Sequence, residues 1–161
     1  MSVFIAEQMV NDFPVVVRRR VRWGECDPAG VVYTPVFSEY VVSAFHTFLE
    51  SLLGGPLHDR LRELDFNTPM RALSFDFKQS LYPEQWFDMT VYVREVRNTT
   101  FELRILFTGE SGSEVVVANL TAICVHYAER RSRGVPKRVR ELLENYRSRC
   151  PAPPVDALAG G

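Results

Sequence analysis

Two hydrophobic periods divide this chain. Val15 to Arg22 opens with a β-branched run and reads as a strand. Val36, Phe37, Tyr40, Val41, Ala44, Phe45, Phe48, Leu49 and Leu52 then recur at spacings of three and four. That spacing predicts an amphipathic helix of about four turns with a broad apolar face. Gly54-Gly55-Pro56 stops it, and residues 57–66 predict a short second helical piece. From Met70 the period becomes two. Leu73, Phe75 and Phe77 alternate with polar or small neighbours, as do Phe87, Met89, Val91 and Val93, and then Phe101, Leu103, Ile105 and Phe107 alternate with Glu102, Arg104, Leu106 and Thr108. Tyr82-Pro83-Glu84, Arg97-Asn98-Thr99-Thr100 and Gly109-Glu110-Ser111-Gly112-Ser113 separate these runs as turns. A last strand is predicted over Val115 to Tyr127, and a basic helix over Lys137 to Arg149.

A single helix with a wide apolar face has to bury it against the sheet these strands form. The fold class expected is therefore α+β: a curved antiparallel sheet of about five strands wrapped around one long central helix, with a C-terminal helix added. Residues 1–13 read as an N-terminal leader and 14–149 as one domain. Residues 150–161, rich in Pro, Gly and Ala, read as a disordered tail.

Composition narrows the function classes. The 161 residues are 46% hydrophobic and 24% charged, enough for one real core, and the formal net charge is −1. No global field draws such a molecule to nucleic acid or to a membrane surface, so neither is expected as a partner. Lys78 and Lys137 are the only lysines. Seven arginines and Lys137 fall between Arg130 and Arg149. That basic run is either a solvated helix with ion pairs or a neighbour of a phosphate-bearing ligand. Cys26, Cys124 and Cys150 are too few and too widely spaced for a disulfide framework or a zinc motif. With no signal-peptide pattern at the N-terminus and no apolar run of about 20 residues, a reducing cytoplasm is the expected location. No metal or redox cofactor is expected.

The junction between first strand and long helix reads Trp23-Gly24-Glu25-Cys26-Asp27-Pro28-Ala29-Gly30-Val31-Val32-Tyr33. With the order of elements, it resembles the hot-dog fold thioesterases of the 4-hydroxybenzoyl-CoA thioesterase family. The likeness of element order spans residues 14–140, supported by Asn67-Thr68-Pro69 before the second strand. It implies an acyl-CoA thioesterase acting on an aryl thioester such as 4-hydroxybenzoyl-CoA, or on a short or medium acyl group. It implies edge-to-edge pairing into a homodimer or a homotetramer built of such dimers, with the active site at the dimer interface. CoA is then part of the substrate, not a cofactor. A non-hydrolytic acyl-CoA or acyl-carrier binding module on the same fold is the alternative.

Residue by residue, Asp27 before Pro28 is by itself a turn-former. The resemblance makes it the catalytic carboxylate, either nucleophile or general base. A helix N-terminus offers unpaired N–H donors for a developing oxyanion, and the resemblance puts the donor at Thr34. Thr34 also reads as an N-cap with Pro35 at the first helical position. Gly30 lets the backbone turn. Tyr33 either lines the acyl pocket or packs under the turn, and Thr68 either sits near the acyl group or ends a strand. Phe37, with Tyr40 and Phe77, is expected to form an apolar acyl slot. Arg97 is the one charge left on the turn where relatives bind CoA phosphates, with Arg130, Arg131 and Arg133 as substitutes. Cys26 reads as a bystander thiol, Glu39 as a reserve carboxylate, and His46, His58 and His126 as residues without a catalytic partner.

Overall fold

A computed structural model describes residues 5–153. Six strands form one antiparallel sheet in the order β1-β2-β4-β5-β6-β3. They are β1 (Glu7–Asp12), β2 (Val15–Arg20), β3 (Met70–Phe77), β4 (Trp86–Val96), β5 (Thr100–Gly109) and β6 (Glu114–Ile123). The helices are α1 (Val36–Leu53), α2 (Leu57–Glu63) and α3 (Lys137–Arg149). Among the described residues, no helix is long and apolar enough to cross a membrane.

Helix α1 buries Phe37, Tyr40, Val41, Ala44, Phe45, Phe48 and Leu49, the stripe its three-and-four spacing requires. Alternate residues of the sheet meet it: Val15 and Val17, Phe87 to Val93, and Phe101 to Phe107 all lie in the same core. Phe37 is the hub at the start of α1, with its ring 5.1 Å from Phe77, 6.0 Å from Phe107 and 6.4 Å from Phe75. Gly54 ends α1 in the left-handed conformation, φ 73, which costs glycine nothing.

The α+β architecture matches the reading of the sequence, with two differences. The sheet has six strands rather than five, because residues 7–12 of the expected leader form β1. That strand is an edge with exposed Gln8 to Asp12, so it has no buried face to impose an alternating pattern. The last strand stops at Ile123, not Tyr127. Beyond it only isolated bridges continue, Asn67 to Val125 and Val125 to Ser132. The expected disordered tail falls mostly outside the described residues.

Tyr146 of α3 joins three elements. Its ring crosses Phe48 of α1 at 5.2 Å. Its hydroxyl accepts from the Val15 N–H at 2.8 Å and donates to the Val91 carbonyl at 2.7 Å. The β2–β4 register, Val16 opposite Thr90, puts Val15 opposite Val91. The phenol thus replaces one rung of the ladder. Tyr146→Phe would leave a buried donor and a buried acceptor without it, at a cost of about 1–3 kcal/mol. Urea unfolding measures this; an unchanged midpoint would show that the bridge contributes nothing.

Candidate active site

From β2 the chain makes one 3-10 turn, Trp23–Glu25, and then a tight hairpin. The Gly30 N–H donates to the Asp27 carbonyl at 2.9 Å, and the Asp27 N–H donates to the Val31 carbonyl at 3.0 Å. The Asp27 Oδ1 accepts the Ala29 N–H at 2.8 Å. This is the aspartate side chain closing its own turn, with Pro28 presetting φ and Gly30 at φ 81. Sequence alone left open whether Asp27 shapes the turn or does chemistry, and its two oxygens divide here. Oδ1 holds the turn, while Oδ2 has no hydrogen-bond partner among the described residues.

Past the hairpin, the Val32 N–H bonds to the Leu81 carbonyl and the Tyr33 N–H to the Glu25 carbonyl, both at 2.9 Å. Helix α1 then starts tightly: Val36, Phe37 and Ser38 donate to Tyr33, Thr34 and Pro35 in turn. The Thr34 N–H donates to no acceptor among the described residues, and Pro35 has no N–H to offer. One part of the expectation changes. Pro35, not Thr34, occupies the cap position, and no side chain caps the helix. The Thr34 carbonyl, at 3.2 Å from the Phe37 N–H, is already inside the first turn, so its hydroxyl is not needed there.

Beside Thr34 opens a cleft of about 360 Å³ lined by Val31, Val32, Phe37, Phe77 and Leu81, with Lys78, Gln79 and Ser80 as its polar side. Asp27 stands just off this lining. Of the expected acyl slot, Phe37 and Phe77 are present, but Tyr40 is not. It lies wholly buried in the core, under the Arg19 guanidinium at 4.8 Å from its ring centre. Tyr33 is not among the residues lining the cleft and is 54% exposed. Larger clefts of about 500, 470 and 420 Å³ lie beside Arg104 and α3, beside Trp86 and Asp88, and along Glu39, Val42 and His46 of α1. None of these is lined by the hairpin.

The other expected site residues lie at the far end of the sheet. Thr68 is buried just before β3, whereas the cleft adjoins the end of β3 at Phe77. Eight residues of strand put roughly 23 Å between those ends. Near Thr68, Asp65 binds His126 Nδ1 at 3.0 Å and accepts from Arg133, and these contacts, His126 first, hold its carboxyl below the usual range. Arg97 is shared between Glu102 at 2.7 Å and Glu95 at 2.9 Å, and Arg131 pairs with Glu129 at 3.0 Å. Arg130 and Lys137 form no ion pair among the described residues. Glu39 and His46 sit on the exposed face of α1, and His58 lies on α2, 3.4 Å from the Tyr127 hydroxyl.

Sequence reasoning missed Arg19 and Glu25. Arg19 Nη2 bonds Glu25 Oε2 at 2.9 Å, and Nη1 bonds Glu7 Oε2 at 2.5 Å, with only 18% of the arginine side chain exposed. A signal was present: period two puts Arg19 on the face of Val15 and Val17, and an inward arginine needs partners. Next to Glu25, burial and then the negative charges of Glu25 and Asp27 push the Cys26 thiol up from its ordinary value. It is therefore held as the thiol, the weaker nucleophile. Iodoacetamide labelling of Cys26, followed by mass spectrometry, should reach half its maximal rate at a higher pH than an unshifted thiol, which does so at about pH 8.5. A plateau below pH 8 would contradict this.

Comparison with known proteins now adds to the geometry. The family model described as Thioesterase-like superfamily matches residues 21–143. The structure of a gentisyl-coenzyme A thioesterase superposes with TM-score 0.71 at 23% identity, covering 80% of this chain and 98% of that one. A 1,4-dihydroxy-2-naphthoyl-CoA thioesterase from Synechocystis gives 0.71 at 21% identity, covering 81% and 95%. A Staphylococcus aureus protein solved in complex with CoA gives 0.79 at 14% identity, covering 95% and 92%. At these identities the likeness is one of fold.

Proposed function

Because the chain belongs to the thioesterase-like superfamily and has its hot-dog fold, we propose that it is an acyl-CoA thioesterase, turning a CoA thioester and water into a free acid and CoA-SH. One observation carries this reading. A single pinned hairpin presents an unpaired carboxylate oxygen on Asp27 and an unpaired N–H on Thr34 close to a cleft of about 360 Å³.

In the proposed reaction the acyl group enters the cleft and its carbonyl oxygen accepts the Thr34 N–H. That donor is in place before charge develops, so it stabilises the oxyanion without reorganising. The Asp27 Oδ2 then acts by one of two routes. It adds to the carbonyl carbon, the C–S bond breaks, CoA leaves as the thiolate, and water cleaves the resulting mixed anhydride. Otherwise it takes a proton from a water that adds to the same carbon; the adduct collapses, the C–S bond breaks and CoA leaves as the thiolate, which takes up that proton. Neither route needs a strong acid, since a thiolate leaves without one.

The cleft lining, with Phe37 and Phe77 as its aromatic part and Lys78, Gln79 and Ser80 as its polar part, supports an aryl acyl group bearing a polar substituent, such as 4-hydroxybenzoyl. Two structural neighbours named for hydroxylated aromatic thioesters favour the same class. Short and medium acyl groups are the next to try. Arg130 and Lys137 supply unpaired charge for the CoA phosphates, more freely than Arg97, which two carboxylates already neutralise.

The reading includes a homodimer formed along β3, the sheet edge beside the cleft, or a tetramer of such dimers. Antiparallel pairing of β3 with its copy sets the Thr68 end of one protomer against the Phe77 end of the other. Thr68 and the basic residues then complete a site that one chain divides. Light scattering at micromolar concentration should give a dimer or a tetramer; a monomer with full turnover would overturn this assembly.

The decisive assay reads CoA-SH release with a thiol reagent across aryl, short-chain and long-chain acyl-CoAs, for wild type and Asp27→Asn. Turnover by the wild type should fall by about 10²-fold or more in the variant. Undiminished turnover in Asp27→Asn would sink the mechanism. Saturable binding with no turnover on any substrate would favour the non-hydrolytic binding module.

A further inference from the structure

The hairpin that carries the proposed chemistry has no helix or strand of its own to hold it. One arm is tied to the Leu81 carbonyl through the Val32 N–H, and the other is held by Glu25, fixed at three atoms. Oε1 accepts the Arg22 N–H at 2.8 Å, and Oε2 accepts from Arg19 at 2.9 Å. The Glu25 carbonyl accepts the Tyr33 N–H at 2.9 Å. Asp27 lies two residues beyond Glu25, and Thr34 one residue beyond Tyr33. Glu25 therefore stands where the two arms of the hairpin meet.

Arg19 carries that position back to the body of the protein. Its guanidinium forks between Glu25 of the hairpin and Glu7 of β1, and it lies over the ring of Tyr40 on α1. Glu7 in turn accepts a hydrogen bond from Ser43 of α1. One side chain thus ties the sheet, the helix and the loop together. The exposed side-chain fractions are 18% for Arg19, 22% for Glu7 and 13% for Glu25, so bulk water screens the bridge weakly. An arginine suits this role because its planar fork reaches two carboxylates at once, which a lysine point charge does not.

We infer that Arg19 and Glu25 are positioning residues for hydrolysis. Their ion pair fixes the Asp27 carboxylate relative to the Thr34 N–H, the relation on which attack and oxyanion binding depend. Neither touches the acyl group; both act through the hairpin. The inference rests on the thioesterase reading, so its test includes a readout that does not need turnover.

Glu25→Ala, Glu25→Gln, Arg19→Lys and, as a control, Asp88→Asn would be compared with wild type. The control removes the Arg18–Asp88 pair, 2.8 Å long and one residue from Arg19, without touching the hairpin. Steady-state kinetics on the best substrate, thermal melting and amide exchange by NMR would be read for each. In Glu25→Ala the expected kcat loss is about 10²-fold, the cost of a misplacement near 1 Å, with KM within about threefold. Glu25→Gln keeps one acceptor and should fall between. Arg19→Lys keeps the charge, loses the fork, and should also lose kcat, which covers the case where Glu25→Ala fails to fold. Asp88→Asn should match wild type. The Tyr33 amide should exchange at least about tenfold faster in Glu25→Ala while Leu103 and Ile105 in β5 stay protected.

A folded Glu25→Ala with wild-type kcat, or a loss explained by KM alone, would overturn the inference. Should the wild type hydrolyse nothing, the thioesterase reading falls and the Tyr33 amide decides alone. Unchanged exchange there would overturn the clamp, and selective loss of protection would uphold it.

Discussion

The apolar face of α1 has one place to go. Six of its large side chains and Ala44 must leave water, a gain on the order of 10 kcal/mol before the entropy of ordering is set against it. A single twisted sheet is the only surface here broad enough to receive them, so the sheet wraps the helix. The position of the helix start follows. Phe37 locks against Phe75, Phe77 and Phe107, which fixes where α1 begins. The chain entering α1 must therefore turn at the open end of β3. Cleft, hairpin and unpaired Thr34 N–H all sit where that burial puts them.

Packing alone leaves the hairpin under-determined, because Asp27 to Gly30 are polar or small and bury little. Electrostatics takes over at that point. A part-buried arginine between two carboxylates is a weak source of net stability, since desolvation offsets much of the attraction. It is a good source of direction, because leaving either partner alone is costly. Arg19 shows both sides: burial lowers its proton affinity most, yet the hydrogen bonds to Glu7 and Glu25 raise it overall. The network thus selects one arrangement of loop, helix and sheet more than it strengthens the fold.

The same reasoning separates the two ends of the molecule. Near Phe77 lie the cleft and the donors; near Thr68 lie the cationic groups and the Asp65–His126 pair. A single chain cannot bring them together across the length of β3. A thioester of CoA, with a small reactive end and a long anionic handle, suits a surface divided in this way.

How much could be read from residues alone differs element by element. The α+β order, α1 and α3 were legible because each is amphipathic at its own period, and a buried face leaves that period in the sequence. The hairpin was legible because Asp, Pro and Gly have narrow backbone preferences, and its resemblance to a known motif pointed to the chemistry proposed for it. Strand β1 was invisible because an exposed edge strand has no buried face. Tyr40 looked like a pocket wall, since an apolar stripe gives depth no coordinate; only the packing shows it under Arg19. The unpaired state of the Thr34 N–H, the Arg19–Glu25 bridge and the separation of Thr68 from the cleft came from the tertiary structure. Each depends on which residues distant in sequence become neighbours, and periodicity records burial, not neighbours.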